Sequence, residues 1–144
     1  MNKNQKKGIT LASLVIYVVV FSVITSIVSI IYTNMNDTLF FNRGRSINYT
    51  EFNKLEYNLE HSAAFSNDII VTSDSIEFSN DDNYTYFKDE KTLMLNGGIL
   101  CTNVIKFEPV LEDKSEVKLL KLKISFDKYS SKLEKEILLS VEVN

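Results

Sequence analysis

The sequence predicts an α+β protein in which one long N-terminal helix, transmembrane first and amphipathic after, packs on an antiparallel β-sheet head. Three observations predict it. Residues Ile9 to Ile31 contain no Asp, Glu, Lys, Arg, His, Gly or Pro. From Tyr32 to about Ala64 no proline interrupts the chain, and apolar residues recur at helical spacing. Beyond Asp68 the period becomes two, broken by short polar turns. A helix followed by strands in hairpin order is an α+β arrangement. Four parts result: a basic leader at 1–8, a membrane helix at 9–31, an amphipathic helix at 32–66 and an antiparallel β head at 67–144.

The uncharged run of about 23 residues extends roughly 34 Å as a helix, enough to cross a bilayer's hydrocarbon core. Lys3, Lys6 and Lys7 precede it, whereas Asp37 follows it before the first arginines, Arg43 and Arg45. The positive-inside rule therefore places the N-terminus in the cytoplasm and the rest outside, on a single-pass anchor. A cleaved secretory signal has a shorter apolar core with a small-residue site behind it, and Ser26-Ile27-Val28-Ser29 is a poor version of such a site. A plain signal anchor fits the length and leaves the residues around Gly8 unexplained.

The segment Lys6-Lys7-Gly8-Ile9-Thr10-Leu11 resembles the processing site of type IV pilins and pseudopilins. The resemblance implies that a prepilin peptidase cuts after Gly8 on the cytoplasmic side and methylates the new N-terminus at Ile9, where the family more often has Phe. Cleavage before the apolar run keeps the helix for packing with others. The implied fold is pilin-like, and the implied partners are the membrane, major and minor pilin subunits, the prepilin peptidase and the inner-membrane assembly platform. The implied destination is the bacterial cell surface or pilus.

One departure is informative. The family usually carries Glu at the fifth residue of the mature chain, and here that position is Ser13. In the family this carboxylate is thought to pair with a neighbour's terminal amine, and a charge within a bilayer is costly unless paired. A subunit lacking it resembles the minor pilins that cap or initiate a filament; the alternative is that Ser13 merely eases insertion of a subunit placed elsewhere. At 100° per residue Thr10, Ser13 and Tyr17 fall on one side, while Ser22, Ser26, Ser29 and Thr33 fall roughly opposite. That second stripe is a candidate helix-packing face, unless its hydroxyls bond back to their own helix. Many pilins have a proline in this helix, and its lack here predicts an unkinked segment.

Outside the membrane, Phe40, Ile47, Leu55, Leu59 and Ala63, with Gly44 and Glu51 on the same side, form a slowly drifting stripe. Asn36 to Gly44 is its weakest stretch by propensity and a candidate break. Lys54 and Glu60 are expected on a solvated face, and His61 near the helix end. In the head, Ile69-Ile70-Val71 and Ile76-Glu77-Phe78 flank a turn at 72–75. Tyr84 to Phe87 and Thr92 to Leu95 flank 88–91, and Asn96-Gly97-Gly98 turns the chain into Ile99-Leu100, a meander. Val104 to Val110 is a strand closed by Pro109. Leu120, Leu122, Ile124 and Phe126, then Ile137, Leu139, Val141 and Val143, mark two alternating strands joined by Asp127 to Lys132. The order resembles the larger minor pilins and pseudopilins with sheet-rich heads, and the run Tyr84 to Val110, with a short hairpin turn at Gly97-Gly98 and then the pair Asn103-Val104, looks like heads of the GspJ or PilW type.

Chemistry is sparse. The net charge is −3 and the leader holds three lysines without an acidic residue, so the remainder is about −6 and carries no basic nucleic-acid footprint. The single cysteine, Cys101, rules out an internal disulfide, and lone His61 has no companion for a metal site or a catalytic pair. Ser79-Asn80-Asp81-Asp82-Asn83 lacks the spacing of a calcium loop and reads as a turn, although some pilin heads bind calcium. No phosphate-cradling glycine loop or nucleophile elbow occurs. The expectation is a structural subunit without catalytic residues, cofactor or metal, serving a pilus, a secretion system or a DNA-uptake system. Its rivals are a membrane-anchored binding domain that is not assembled and a secreted enzyme freed after about Ser29.

Overall fold

The computed structural model describes residues 3–114 and 116–143, with side chains from Thr10 onward. It holds one α-helix, α1 (Lys3–Ala64), and eight strands: β1 (Ile69–Val71), β2 (Ser75–Phe78), β3 (Asn83–Phe87), β4 (Thr92–Leu95), β5 (Gly98–Thr102), β6 (Val104–Lys114), β7 (Val117–Lys128) and β8 (Ser131–Glu142). The chain divides into two compact units, Met1–Phe40 and Phe41–Asn144. The second unit is the α+β head, in which the later part of α1 packs on antiparallel sheet.

The head contains two sheets rather than one. The meander β1-β2-β3-β4-β5 is five-stranded in sequence order, and β6-β7-β8 is a separate three-stranded sheet. The chain passes between them at Asn103, whose φ of 61° is left-handed. Asn tolerates that region better than most residues, so a single residue turns the chain out of one ladder and into the next.

One face of α1 forms the seam of this core. Gly44, Asn48, Phe52, Leu55, Leu59, Ser62 and Ala63 are buried, a stripe of spacings three and four. Leu55 and Leu59 are fully buried, together with Ile69, Ile76, Tyr84, Leu93, Leu120, Leu122, Ile124 and Phe126 from both sheets. Burial of each leucine contributes about 1.5–3 kcal/mol.

The face differs from the hydrophobic stripe at its start. Phe40 is 53% exposed, and Ile47 and Glu51 are only half-buried. There the buried positions are Gly44, on the side where the spacing put it, and Asn48, which the stripe did not include. A Cβ on Gly44 would overlap the carbonyl oxygen of Lys128, so glycine is what lets the β7–β8 hairpin reach the helix. Asn48 donates its side-chain amide to the Ser131 carbonyl of the same hairpin. No break occurs at 36–44, and the helix stops at Ala64, two residues earlier than expected.

Several strand boundaries are also corrected. β6 runs past Pro109 to Lys114, with Pro109 opposite Leu122; β6 is an edge strand, where a missing N–H is tolerated. The β7–β8 connection is only Tyr129-Ser130, both left-handed at φ 52° and 59°, closed by the Lys128–Ser131 pair. That is a type I′ turn, whose twist matches the flanking strands. A second two-residue turn is Asn96-Gly97, not Gly97-Gly98, since Gly98 already pairs with Leu95. Val143 lies beyond β8 and is exposed, and Leu138 points outward, 70% exposed. The alternating inner residues of β7 are fully buried as the pattern predicts, whereas Leu139 in β8 is half-buried.

Gly44→Ala should destabilise the head by about 1–3 kcal/mol, the usual cost of overpacking. Gly98→Ala, whose Cβ would meet nothing closer than the Leu95 oxygen at 3.5 Å, should cost less. Denaturant titration of the purified chain in detergent measures both, and equal losses would refute the tight seat at Gly44.

Candidate functional site: the N-terminal helix

The N-terminal unit is built differently from the head. Every large apolar side chain from Leu11 to Phe41, including Val15, Val20, Phe21, Ile24, Ile27 and Ile31, is exposed, so none of the described residues covers this surface. It is the one described helix long and apolar enough to cross a membrane. Soluble proteins rarely leave so large an apolar patch bare; a bilayer or other apolar helices are the environments that stabilise it.

The sequence-predicted residues fall on this helix as follows. Gly8 and Ile9 have helical backbone, but their side chains lie outside the described residues. Ser13 is half-buried and donates its hydroxyl to the Thr10 carbonyl at 2.9 Å. On the opposite stripe, Ser22 donates to Val18 at 2.8 Å and Ser26 to Ser22 at 2.8 Å. Thr33 bonds the carbonyls of both Ser29 and Ile30 at 3.0 Å. These hydroxyl protons are therefore spent within the helix. The stripe offers small volume and oxygen lone pairs for close approach rather than free donors. Thr25, one position before Ser26, is bonded likewise to the Phe21 carbonyl at 2.6 Å.

Groups with potential chemistry in the head are tied into structure. Cys101 is buried, its thiol donates to the Glu51 carbonyl at 3.4 Å, and desolvation pushes its pKa up to about 12; a thiol so held is a poor nucleophile. His61 is exposed and lies between the rings of Tyr57 and Phe65, at 6.5 and 4.8 Å. Lys54, expected only as a solvated residue, donates to the Leu100 carbonyl, and Glu51 accepts the Thr102 N–H at 2.9 Å. Among the described residues no three His, Cys, Asp or Glu side chains gather as a metal site.

The acidic segment 79–83 is a locked turn. The Asp82 carboxylate accepts the Ser62 hydroxyl at 2.7 Å, the Asn80 amide at 3.0 Å and the Asn96 amide at 3.1 Å. Ser62 also meets the Tyr84 hydroxyl at 2.7 Å, and burial pushes that phenol up to about 12. The turn, the helix end and the Asn96 hairpin thus share one carboxylate. The Ser62 bond above all, then those from Asn96 and Asn80, holds Asp82 below the ordinary carboxylate range.

A carboxyl whose folded pKa is depressed adds stability that is present above its unfolded pKa of about 3.9 and is lost as pH falls through the folded value. Asp82→Asn should therefore lower the melting temperature at neutral pH and flatten its fall below about pH 4; an unchanged acid limb would show that other carboxyls set it. No family model, curated protein or solved structure matches the chain, so the functional reading rests on its residues and geometry.

Proposed function

We propose that this chain is a minor type IV pilin: a non-enzymatic subunit processed after Gly8, methylated at Ile9 and drawn from the cytoplasmic membrane into a pilus or the complex that initiates one. The observation that carries the reading is the bare apolar helix from Leu11 onward, joined without a break to a helix that forms part of the head's core. Such a chain has one end suited to lipid and the other to water. It can leave the bilayer only if other apolar helices replace the lipid, and a bundle of like helices does so.

The border sequence Lys6-Lys7-Gly8-Ile9-Thr10-Leu11 supports peptidase processing, because cutting there removes the lysines and keeps the helix. Ser13 in place of Glu supports a tip or initiating position, where no neighbour above supplies an amine to pair. In that position its Ile9 amine still receives the carboxylate of the subunit below. A pseudopilin of a secretion or DNA-uptake system would share all of these features, and the machine served is a finer question than the class.

N-terminal sequencing and intact mass of the protein from its native cells test the proposal. A chain beginning at N-methylated Ile9 is expected, and Gly8→Ala should retain the leader and abolish surface exposure. A native chain beginning at Met1, with Gly8→Ala silent, would make it a plain anchored domain. One beginning near Ile30 would make it a secreted protein.

A further inference from the structure

We propose that the outer edge of β8 is a strand-addition site for an extended segment of a different polypeptide, apolar at its centre and basic at its ends. The head's other three sheet edges are closed or blunted. The β5 edge is occupied by side chains of α1, Glu51 on the Thr102 N–H and Lys54 on the Leu100 carbonyl. The β1 edge has three residues and lies beside β6, while β6 carries Pro109. Proline, short length and side-chain cover are the usual devices against unwanted pairing.

β8 has twelve residues, no proline and, among the described residues, no strand on its outer side. Its phase follows from the turn. Lys128 and Ser131 close a two-residue turn and so exchange both main-chain bonds. The outward backbone groups then belong to Lys132, Glu134, Glu136, Leu138, Ser140 and Glu142. Helix residues approach the start of β8, where Asn48 meets Ser131 and Tyr49 lies 5.9 Å from the Lys135 ammonium. The stretch Glu136 to Glu142 is the open part.

The surroundings define the occupant. On the inner face Leu139 packs against the core yet is only half-buried, so a further strand would complete its cover. On the outer face Leu138 borders a shallow depression of about 380 Å³ walled also by Leu119, Lys121, Ser140 and Glu112. An apolar side chain from the added strand fits there. Glu142 and Glu136, the latter already meeting Lys121 of β7 at 2.9 Å, bracket this apolar centre, and opposite charges across a strand pair are favoured while like charges are disfavoured. A second copy pairing β8 to β8 with the two apolar centres in register would set Glu136 of each chain opposite Glu142 of the other, which like-charge repulsion disfavours. The inference stands whether or not the chain enters a filament.

The probe is a synthetic peptide of alternating valine and threonine with two lysines at each end, added to the full chain in detergent micelles. Amide exchange at Glu136, Leu138 and Ser140, followed by NMR, should slow about tenfold or more on saturation, as paired strand amides do. A peptide with glutamates for lysines should give no protection. Leu138→Pro deletes an outward N–H and leaves the β7 ladder intact, so it should keep the melting temperature within a few degrees and abolish protection. Glu136→Lys should weaken peptide binding about threefold or more. Protection by the acidic peptide, or protection that survives Leu138→Pro, would overturn the proposal. So would peptide-free dimerisation through β8 by sedimentation, which would make a second copy the occupant.

Discussion

The structure depends on one constraint: a single helix must satisfy two different surroundings along its length. Its later part gives up one face to two sheets that do not pair with each other, and Leu55 and Leu59 are the residues around which both close. Each sheet has one apolar face and needs a second layer to bury it against. The helix supplies the missing layer, and its packing contributes far more than its propensity. The poor helix formers at 36–44 do not interrupt the helix, although of that stretch only Gly44 is buried against the sheets.

What was legible in the sequence followed periodicity. The uncharged run, the change from a period near 3.6 to one of two, and the inner residues Leu120, Leu122, Ile124 and Phe126 all stand where their patterns put them, because burial of one face fixes register. The helix face was misjudged where contact replaced hydrophobicity. Gly44 lies inside, on the side where its spacing put it, but Asn48 stood outside the stripe, and a buried amide bond to Ser131 places it inside. Nothing in the sequence reports a distance to Lys128 or Ser131. The division into two sheets was hidden for a related reason, since it turns on the conformation of Asn103 and not on any interruption of the strand pattern.

The N-terminal segment was legible only in part. Length and lack of charge mark a helix that water does not suit, and the geometry agrees. The stripe of Ser22, Ser26, Ser29 and Thr33 looked like a set of donors for neighbouring helices, but Ser22, Ser26 and Thr33 spend their protons on their own carbonyls. Back-bonding lowers the cost of holding hydroxyls in hydrocarbon, so these residues ease residence in lipid without dictating a partner.

The seat at Gly44 has a mechanical consequence. A pull on α1 from its N-terminal side reaches the head at Gly44 and Asn48 first, then at Glu51 and Lys54, then at the apolar contacts of Leu55 and Leu59. These attachments are arrayed along the axis, so such a pull loads them in shear and shares the force among them instead of peeling them one at a time. A head fastened in this way resists being stripped from its own stalk.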